Sequence, residues 1–273
     1  MKTFALALSA GGARGLAAIA VLEVLDELGR KPAAIAGVSI GAALGAAYAA
    51  GMPAQTIRRF VIEVAHRRSQ TVARLMQARA TPFSKLFSGG LANPMLIDAE
   101  KLAATFLPRA VPEDFAALDI PLTVIATDLY GRSEVMFTTG PLRTALAASM
   151  AIPGLLRPVE IDGRVLIDGG AVNPLPFEHL RGKADVVIAI DNTVGPTAVR
   201  GIPQPLECLL ATFQVMGHVI VAEKLKHGAP DLTLHQDMNL FRLLDFFQAS
   251  SILRVAEAKK AEIKAKLVAV LGA

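Results

Sequence analysis

Five residues, Gly37-Val38-Ser39-Ile40-Gly41, carry the strongest chemical signal in the chain. A serine between two glycines, after an apolar run and before an alanine-rich one, is the pattern of a sharp strand-to-helix turn. Such a turn lifts the hydroxyl clear of the backbone at a helix N-terminus, where unpaired N–H groups and the helix dipole favour negative charge. That arrangement suits attack on a carbonyl; the plainer reading is a serine that only caps its helix. A second cluster, Gly11-Gly12-Ala13-Arg14-Gly15, also lies between an apolar run and a helical pattern. Consecutive N–H groups in such a loop converge on an anion, either a phosphate or the oxyanion of acyl transfer. Dinucleotide binding fits poorly. Read as G-x-G-x-x-G, the frame begins at Ala10, and no acid closes the next apolar run. A P-loop would need Gly-Lys-Ser/Thr, which the cluster lacks.

A nucleophilic serine requires a base. His179, His218, His227 and His235 follow Ser39 in the order a Ser-Asp-His triad of this kind would demand. Each sits where a surface or cap position is expected: in or at the end of a helix, on an apparent surface turn, or after a short strand. Leu166-Ile167-Asp168-Gly169-Gly170 is different, because it places a carboxylate at the carboxyl end of a strand, with glycines that leave room for close approach. Its plainer reading is an Asp-Gly-Gly turn.

These loops need a frame. Residues 4–9 predict a buried strand, 16–28 a helix stopped by Gly29, 33–38 a second strand and 40–50 a second helix. Strand–turn–helix repeated twice is the signature of a mostly parallel sheet with helices on its faces, a three-layer α/β/α fold. Further strands are expected at 122–126, 134–138, 164–167, 185–190 and 231–234. Further helices are expected at 98–106, up to Ala148, at 206–226 and at 246–267. Without a repeat or a linker, residues 1–273 are expected to form one domain.

Composition agrees with a thick core: 53% of the 273 residues are apolar and 19% charged. A net charge of +4 does not by itself imply nucleic acid, and none is expected as a partner. The single Cys208 excludes an intramolecular disulfide and a multi-cysteine zinc site, which fits a reducing, cytoplasmic setting. Residues 2–10 imitate a secretory signal, but their removal would delete the element that presents the 11–15 loop, so a strand is preferred. No membrane-spanning stretch is expected; the closest, residues 16–25, is too short. Residues 55–85 set Arg58, Arg59, Arg67, Arg68, Arg74, Arg79 and Lys85 against one acid, Glu63. This segment is either a solvated face that includes an amphipathic helix at 55–67, or a lid or docking surface for anionic membrane. Residues 88–94 are expected to form a loop.

The glycine loop, the Gly37–Gly41 turn and Asp168-Gly169-Gly170, in that order, resemble the patatin-like phospholipase family, specifically its short bacterial members. Supporting stretches are Ala126-Thr127-Asp128-Leu129, Ala148-Ser149-Met150-Ala151-Ile152-Pro153 and Asn173-Pro174-Leu175-Pro176. The likeness covers residues 4–191, and the last eighty residues match only loosely. It implies a Ser39–Asp168 dyad without histidine, an oxyanion hole from Gly11, Gly12 and Ala13 with Arg14 in the family's basic position, and no metal or other cofactor. It also implies hydrolysis of glycerolipid acyl esters, of phospholipase A or lysophospholipase type. A soluble carboxylesterase or thioesterase using the same residues, and a regulatory or adaptor protein with residual activity, are the alternatives.

Overall fold

The computed structural model describes residues 2–67, 70, 71, 73, 97–193, 195, 196 and 201–272. Arg68, Arg74, Arg79, Lys85 and the expected loop at 88–94 lie outside the described residues. The frame is an eight-stranded sheet. Its parallel part runs β10 (Leu232–His235), β9 (Val186–Asp191), β1 (Phe4–Leu8), β2 (Ala34–Val38), β4 (Leu122–Asp128). Beyond β4 the direction reverses: β8 (Arg164–Asp168) pairs antiparallel with β4, and β7 (Val159–Ile161) antiparallel with β8. β5 (Ser133–Phe137) also pairs antiparallel with β4, along residues 124–128. A separate two-stranded ladder joins β3 (Ile97–Asp98) to β6 (Leu156–Arg157). The short strands β6 and β7 had no readable period.

Alternation along β1 divides the layers. Phe4, Leu6 and Leu8 belong to the larger apolar core, with α1 (Ala18–Glu27), α2 (Ile40–Ala49) and much of α3 (Ala54–His66). Ala5 and Ala7 face the other way, onto Phe177, Leu180 and Val221. The small side chains let that second layer, including α6 (Pro205–Lys226), lie close to the sheet. The remaining helices are α4 (Ala99–Phe106), α5 (Leu142–Ser149), α7 (Ala249–Glu257) and α8 (Lys260–Leu271).

Two expectations are corrected here. The single C-terminal helix over 246–267 is two helices, with a corner at Ala258 and Lys259. Side-chain electrostatics hold that corner: the buried Glu23 of α1 takes Arg58 at 2.6 Å and Lys260 at 2.7 Å, and Glu257 bonds the same two cations. Arg58 is therefore an interior tie between α1, α3 and α7, so the basic face of residues 55–67 is less charged than the sequence suggests. The second correction concerns length and polarity. α6 is long and apolar enough to cross a membrane, with mean hydropathy 1.5 over an 18-residue window. It carries no Asp, Glu, Lys or Arg between Glu207 and Glu223.

Candidate active site

β4 is the strand that brings the site together. Val38, the last residue of β2, lies opposite Ile125, and Asp168, the last residue of β8, lies opposite the next residue, Ala126. Because β5 fills the other edge of β4 along this stretch, β2 and β8 share one edge and meet head-on, carboxyl end to carboxyl end. Ser39, one step beyond Val38, and Asp168 are thus neighbours by register, although far apart in sequence.

The turn at Ser39 is tight. Ser39 has φ 55° and ψ −124°, a strained conformation for a residue with a side chain, of the kind that costs on the order of 1–3 kcal/mol. Its N–H donates to the Ser149 hydroxyl at 2.8 Å in a buried setting, which helps hold that conformation. Gly37 and Gly41 permit it: a Cβ at 37 would lie 2.7 Å from the Ala42 Cα, and one at 41 would lie 2.5 Å from the carbonyl oxygens of both Leu8 and Ser9. α2 begins at Ile40, so the hydroxyl stands at a helix N-terminus.

The Asp168 carboxylate is buried, close enough to the Ser39 side chain for the hydroxyl to favour its charged form, and it accepts a hydrogen bond at 2.8 Å from the Gly170 N–H. Its main chain is fixed on both sides: the carbonyl accepts from the Thr127 hydroxyl at 2.9 Å and the N–H donates to the Ala151 carbonyl at 3.0 Å. Burial pushes the carboxyl pKa up from 3.8 to about 6, against the Ser39 hydroxyl and the Gly170 N–H, which favour the ionised form. Gly169 packs against the Ile125 carbonyl, and Gly15 against the Ile40 side chain, which seats the glycine loop on the start of α2.

Gly12 opens a 3-10 turn, Gly12–Ala17, that runs into α1. Gly12 has φ +57° and lies beneath Leu243, whose carbonyl oxygen would be 2.4 Å from a Cβ there. The three amides expected to face an oxyanion are not equivalent. Ala13 donates its N–H to the Leu243 carbonyl at 2.8 Å, so that donor is engaged, while the Gly11 and Gly12 amides bond no other described residue. Arg14 does not face solvent or the serine. Its guanidinium is buried and donates to the Gln214 side chain of α6 at 2.8 Å and, more weakly, to the Gly11 carbonyl at 3.4 Å. Burial lowers its pKa to about 10, partly offset by Asp245. Its place is that of a brace for the loop.

The four late histidines have other partners or none near this pair. His227 contacts Glu223, and His235 contacts Asp191 at 3.2 Å. His179 is not on a surface turn. It is half-buried and bonds Glu134 at 2.5 Å in a network with Asn173, Glu178 and Lys224. Glu134, Glu178 and His179 cluster closely enough to ligate a cation, but the Lys224 ammonium already fills that role, bonding both Glu178 oxygens and the Asn173 carbonyl. The Glu134 hydrogen bond raises the His179 pKa above 6.5 against the opposing effect of burial. The imidazolium therefore stabilises the fold fully below about pH 6.5, and the contribution is lost as pH rises through the raised value. His179→Gln is expected to lower the urea unfolding free energy by about 1 kcal/mol more at pH 6 than at pH 9. An equal loss at both values would contradict this.

Above Ser39 lies a cavity of about 360 Å³ with almost wholly apolar walls. Phe60 and Val64 of α3, Leu102 and Phe106 of α4, Met150 and Leu244 are among the side chains that line it, and Ser39 and Gly12 are part of its wall. Sequence reasoning missed Ser149, Thr127 and Gln214. Ser149 and Thr127 lie inside two of the three short stretches that supported the resemblance, but no local pattern marks Gln214.

A serine turn, a glycine loop and a buried carboxylate gathered at strand ends of a mostly parallel sheet define the class of α/β proteins built on a serine elbow. Residues 6–181 match the model of the patatin-like phospholipase family. An uncharacterized NTE family protein of Mycobacterium tuberculosis is 38% identical over 187 residues, which is 68% of this chain and 48% of that protein. Patatin-like phospholipase domain-containing protein 7 of Rattus norvegicus is 33% identical over 193 residues, 70% of this chain and 14% of the rat protein. The chain thus spans about half the length of the mycobacterial relatives it matches, and less of the mammalian ones. VipD from Legionella pneumophila shares the fold, with a TM-score of 0.50 at 13% identity over 97% of this chain and 67% of that one. The chain belongs to the patatin-like phospholipase family.

Proposed function

We propose that the chain is a serine acyl hydrolase that cleaves carboxylic esters of lipids, of phospholipase A or lysophospholipase type, through a Ser39–Asp168 dyad. The observation that carries this reading is the meeting of the Ser39 side chain with a buried carboxylate, brought together by register along β4 at the wall of an apolar cavity. Ser39 Oγ attacks the ester carbonyl carbon and passes its proton to Asp168. The oxyanion lies against the Gly11 and Gly12 amides at the start of the 3-10 turn. Collapse breaks the bond to the alcohol, which leaves with the proton from Asp168. Water then attacks the acyl-enzyme, again losing a proton to Asp168, and the carboxylic acid departs as Ser39 recovers its hydrogen. With a pKa near 6 the carboxyl group is ionised at neutral pH, yet it accepts a proton more readily than an ordinary aspartate does.

The cavity supports an acyl chain as the bound part of the substrate, because its wall offers almost nothing to hydrogen-bond. Val64→Phe would fill part of it from α3. The ratio of long-chain to short-chain ester turnover is expected to fall about tenfold, with short-chain turnover little changed. An unchanged ratio would place the acyl chain elsewhere. Hydrolysis of phospholipid vesicles compared with dissolved short-chain esters tests the lipid assignment. Turnover confined to dissolved esters would favour a soluble carboxylesterase or thioesterase using the same dyad.

A further inference from the structure

Among the described residues, most of the exposed large apolar side chains come from one stretch of the chain. Of the twelve large apolar side chains exposed among the described residues, nine fall between Ile202 and Phe246: Ile202 just before α6, five on α6 and three on the strap that follows β10. On α6, Leu206, Leu209, Val215, Met216 and Val219 are each 46–63% exposed. The opposite side of the helix is tied down. Leu210, Gly217 and Val221 are buried, Gln214 holds Arg14, and Lys224 holds Asn173 and Glu178. These positions recur every three or four residues, so one face of α6 belongs to the site domain and the other has no partner among the described residues. A helix fixed by that many contacts cannot leave the domain to span a bilayer, although its length and hydropathy would suffice.

The strap continues the same surface into the cavity. Leu240 is 80% exposed, while Leu244 and Phe246 are both exposed and part of the cavity lining. Arg242 pairs with Glu207 at 3.5 Å, which fastens the strap to the first turn of α6. α6 also borders the dyad: Phe213 is near Gly170, and Leu209 near Gly154. The exposed apolar side chains of α6 and the strap lead to an acyl-sized cavity, interrupted on the strap by Asp245 and by the Arg242 that pairs with Glu207. Such a surface suits a lipid layer from which a chain could enter. Two ion pairs among the described residues, Glu207 with Arg242 and Glu223 with Lys226, balance charge along this face, so it offers no excess of cations to anionic headgroups.

From this geometry we infer that the outward face of α6, with Leu240, Leu244 and Phe246, docks flat on the surface of a lipid bilayer and sets the cavity mouth against it. The inference rests on the acyl-hydrolase reading above and names the surface through which that site meets aggregated substrate. It differs from docking through the basic segment 55–85, because it predicts binding to neutral membrane.

The test uses flotation with neutral phosphatidylcholine vesicles and a Ser39→Ala chain, so that binding is read without turnover. Adding Val215→Asp and Val219→Asp is expected to weaken vesicle affinity by about tenfold or more, while adding anionic lipid to the vesicles changes the affinity of the parent little. With Ser39 intact, the same pair should lower hydrolysis of vesicle phospholipid about tenfold and leave dissolved short-chain esters within about twofold. The dissolved-ester rate shows that the fold survives, and Val215→Ser with Val219→Ser gives a milder version of the same change. Vesicle affinity that is unchanged by both pairs would overturn the inference. So would sedimentation showing a dimer that Val215→Asp splits, with no vesicle binding, since the face would then belong to a second copy. If the chain binds vesicles through α6 but hydrolyses no ester, the docking stands and the acyl-hydrolase reading fails.

Discussion

Replacing Ser39 with alanine is expected to lower turnover of every carboxylic ester substrate by about 10⁴-fold or more, with the fold intact. The size follows from the proposed chemistry: without Oγ no acyl-enzyme forms, and what remains is the contribution of the amides and the cavity to attack by water. The fold should tolerate the change because the tie to Ser149 runs from the Ser39 backbone N–H, which alanine keeps, and because both residues carry the same Cβ at φ 55°. Melting temperatures should agree within a few degrees. Retained turnover with an unchanged melt would show that another residue attacks the ester.

Asp168→Asn is expected to be nearly as damaging, on the order of 10³- to 10⁴-fold, and to act on stability in the opposite sense. The folded carboxyl has a pKa of about 6 against an ordinary 3.8, so the folded protein holds the proton more tightly than the unfolded chain does. That group's stabilising contribution is complete below pH 3.8 and is lost as pH rises through 6. Above pH 6 the buried charge lowers stability, by about 3 kcal/mol at most. Asparagine keeps the shape and never ionises. Urea unfolding should therefore show the variant more stable than the parent at pH 8 and close to it near pH 4.5. In the parent, log kcat/KM should rise with pH to a plateau beginning near 6, and the variant should lose that limb. Substitution of His179, His218, His227 or His235 should leave turnover largely intact; a loss at one of them equal to that at Ser39 would replace the dyad with a triad.

The parts of this fold visible in sequence are those decided by neighbours a few residues apart. The Gly37–Gly41 turn, the 11–15 loop, the alternation in β1 and the stop at Gly29 are each written in local steric and hydrophobic patterns. The meeting of β2 with β8 is not. It depends on register along β4, set by pairings between residues more than forty apart, and the antiparallel direction of β8 leaves no trace in its own five residues. The bond from Ala13 to Leu243 has the same origin, since Gly-Gly-Ala-Arg-Gly says nothing about which distant carbonyl will cover it. His179 read as a surface residue because its partners Glu134 and Lys224 come from other elements. The helix over 206–226 was legible, but hydrophobicity alone does not say whether a side chain is covered, and on this helix one side is not covered by any described residue. The corner at Ala258 and Lys259 was hidden for a related reason: no glycine or proline marks it, and the Glu23 cluster that holds it lies in the first helix.

The central claim is that the carboxylate at 168 activates the hydroxyl at 39, and the rate of fluorophosphonate labelling, with the adduct located by peptide mass spectrometry, tests it most directly. A single adduct on Ser39 is predicted, formed at a rate that climbs with pH around a midpoint near 6 and drops sharply in the Asp168→Asn chain. Labelling at a different residue, or labelling of Ser39 at an undiminished rate when position 168 is asparagine, would contradict it.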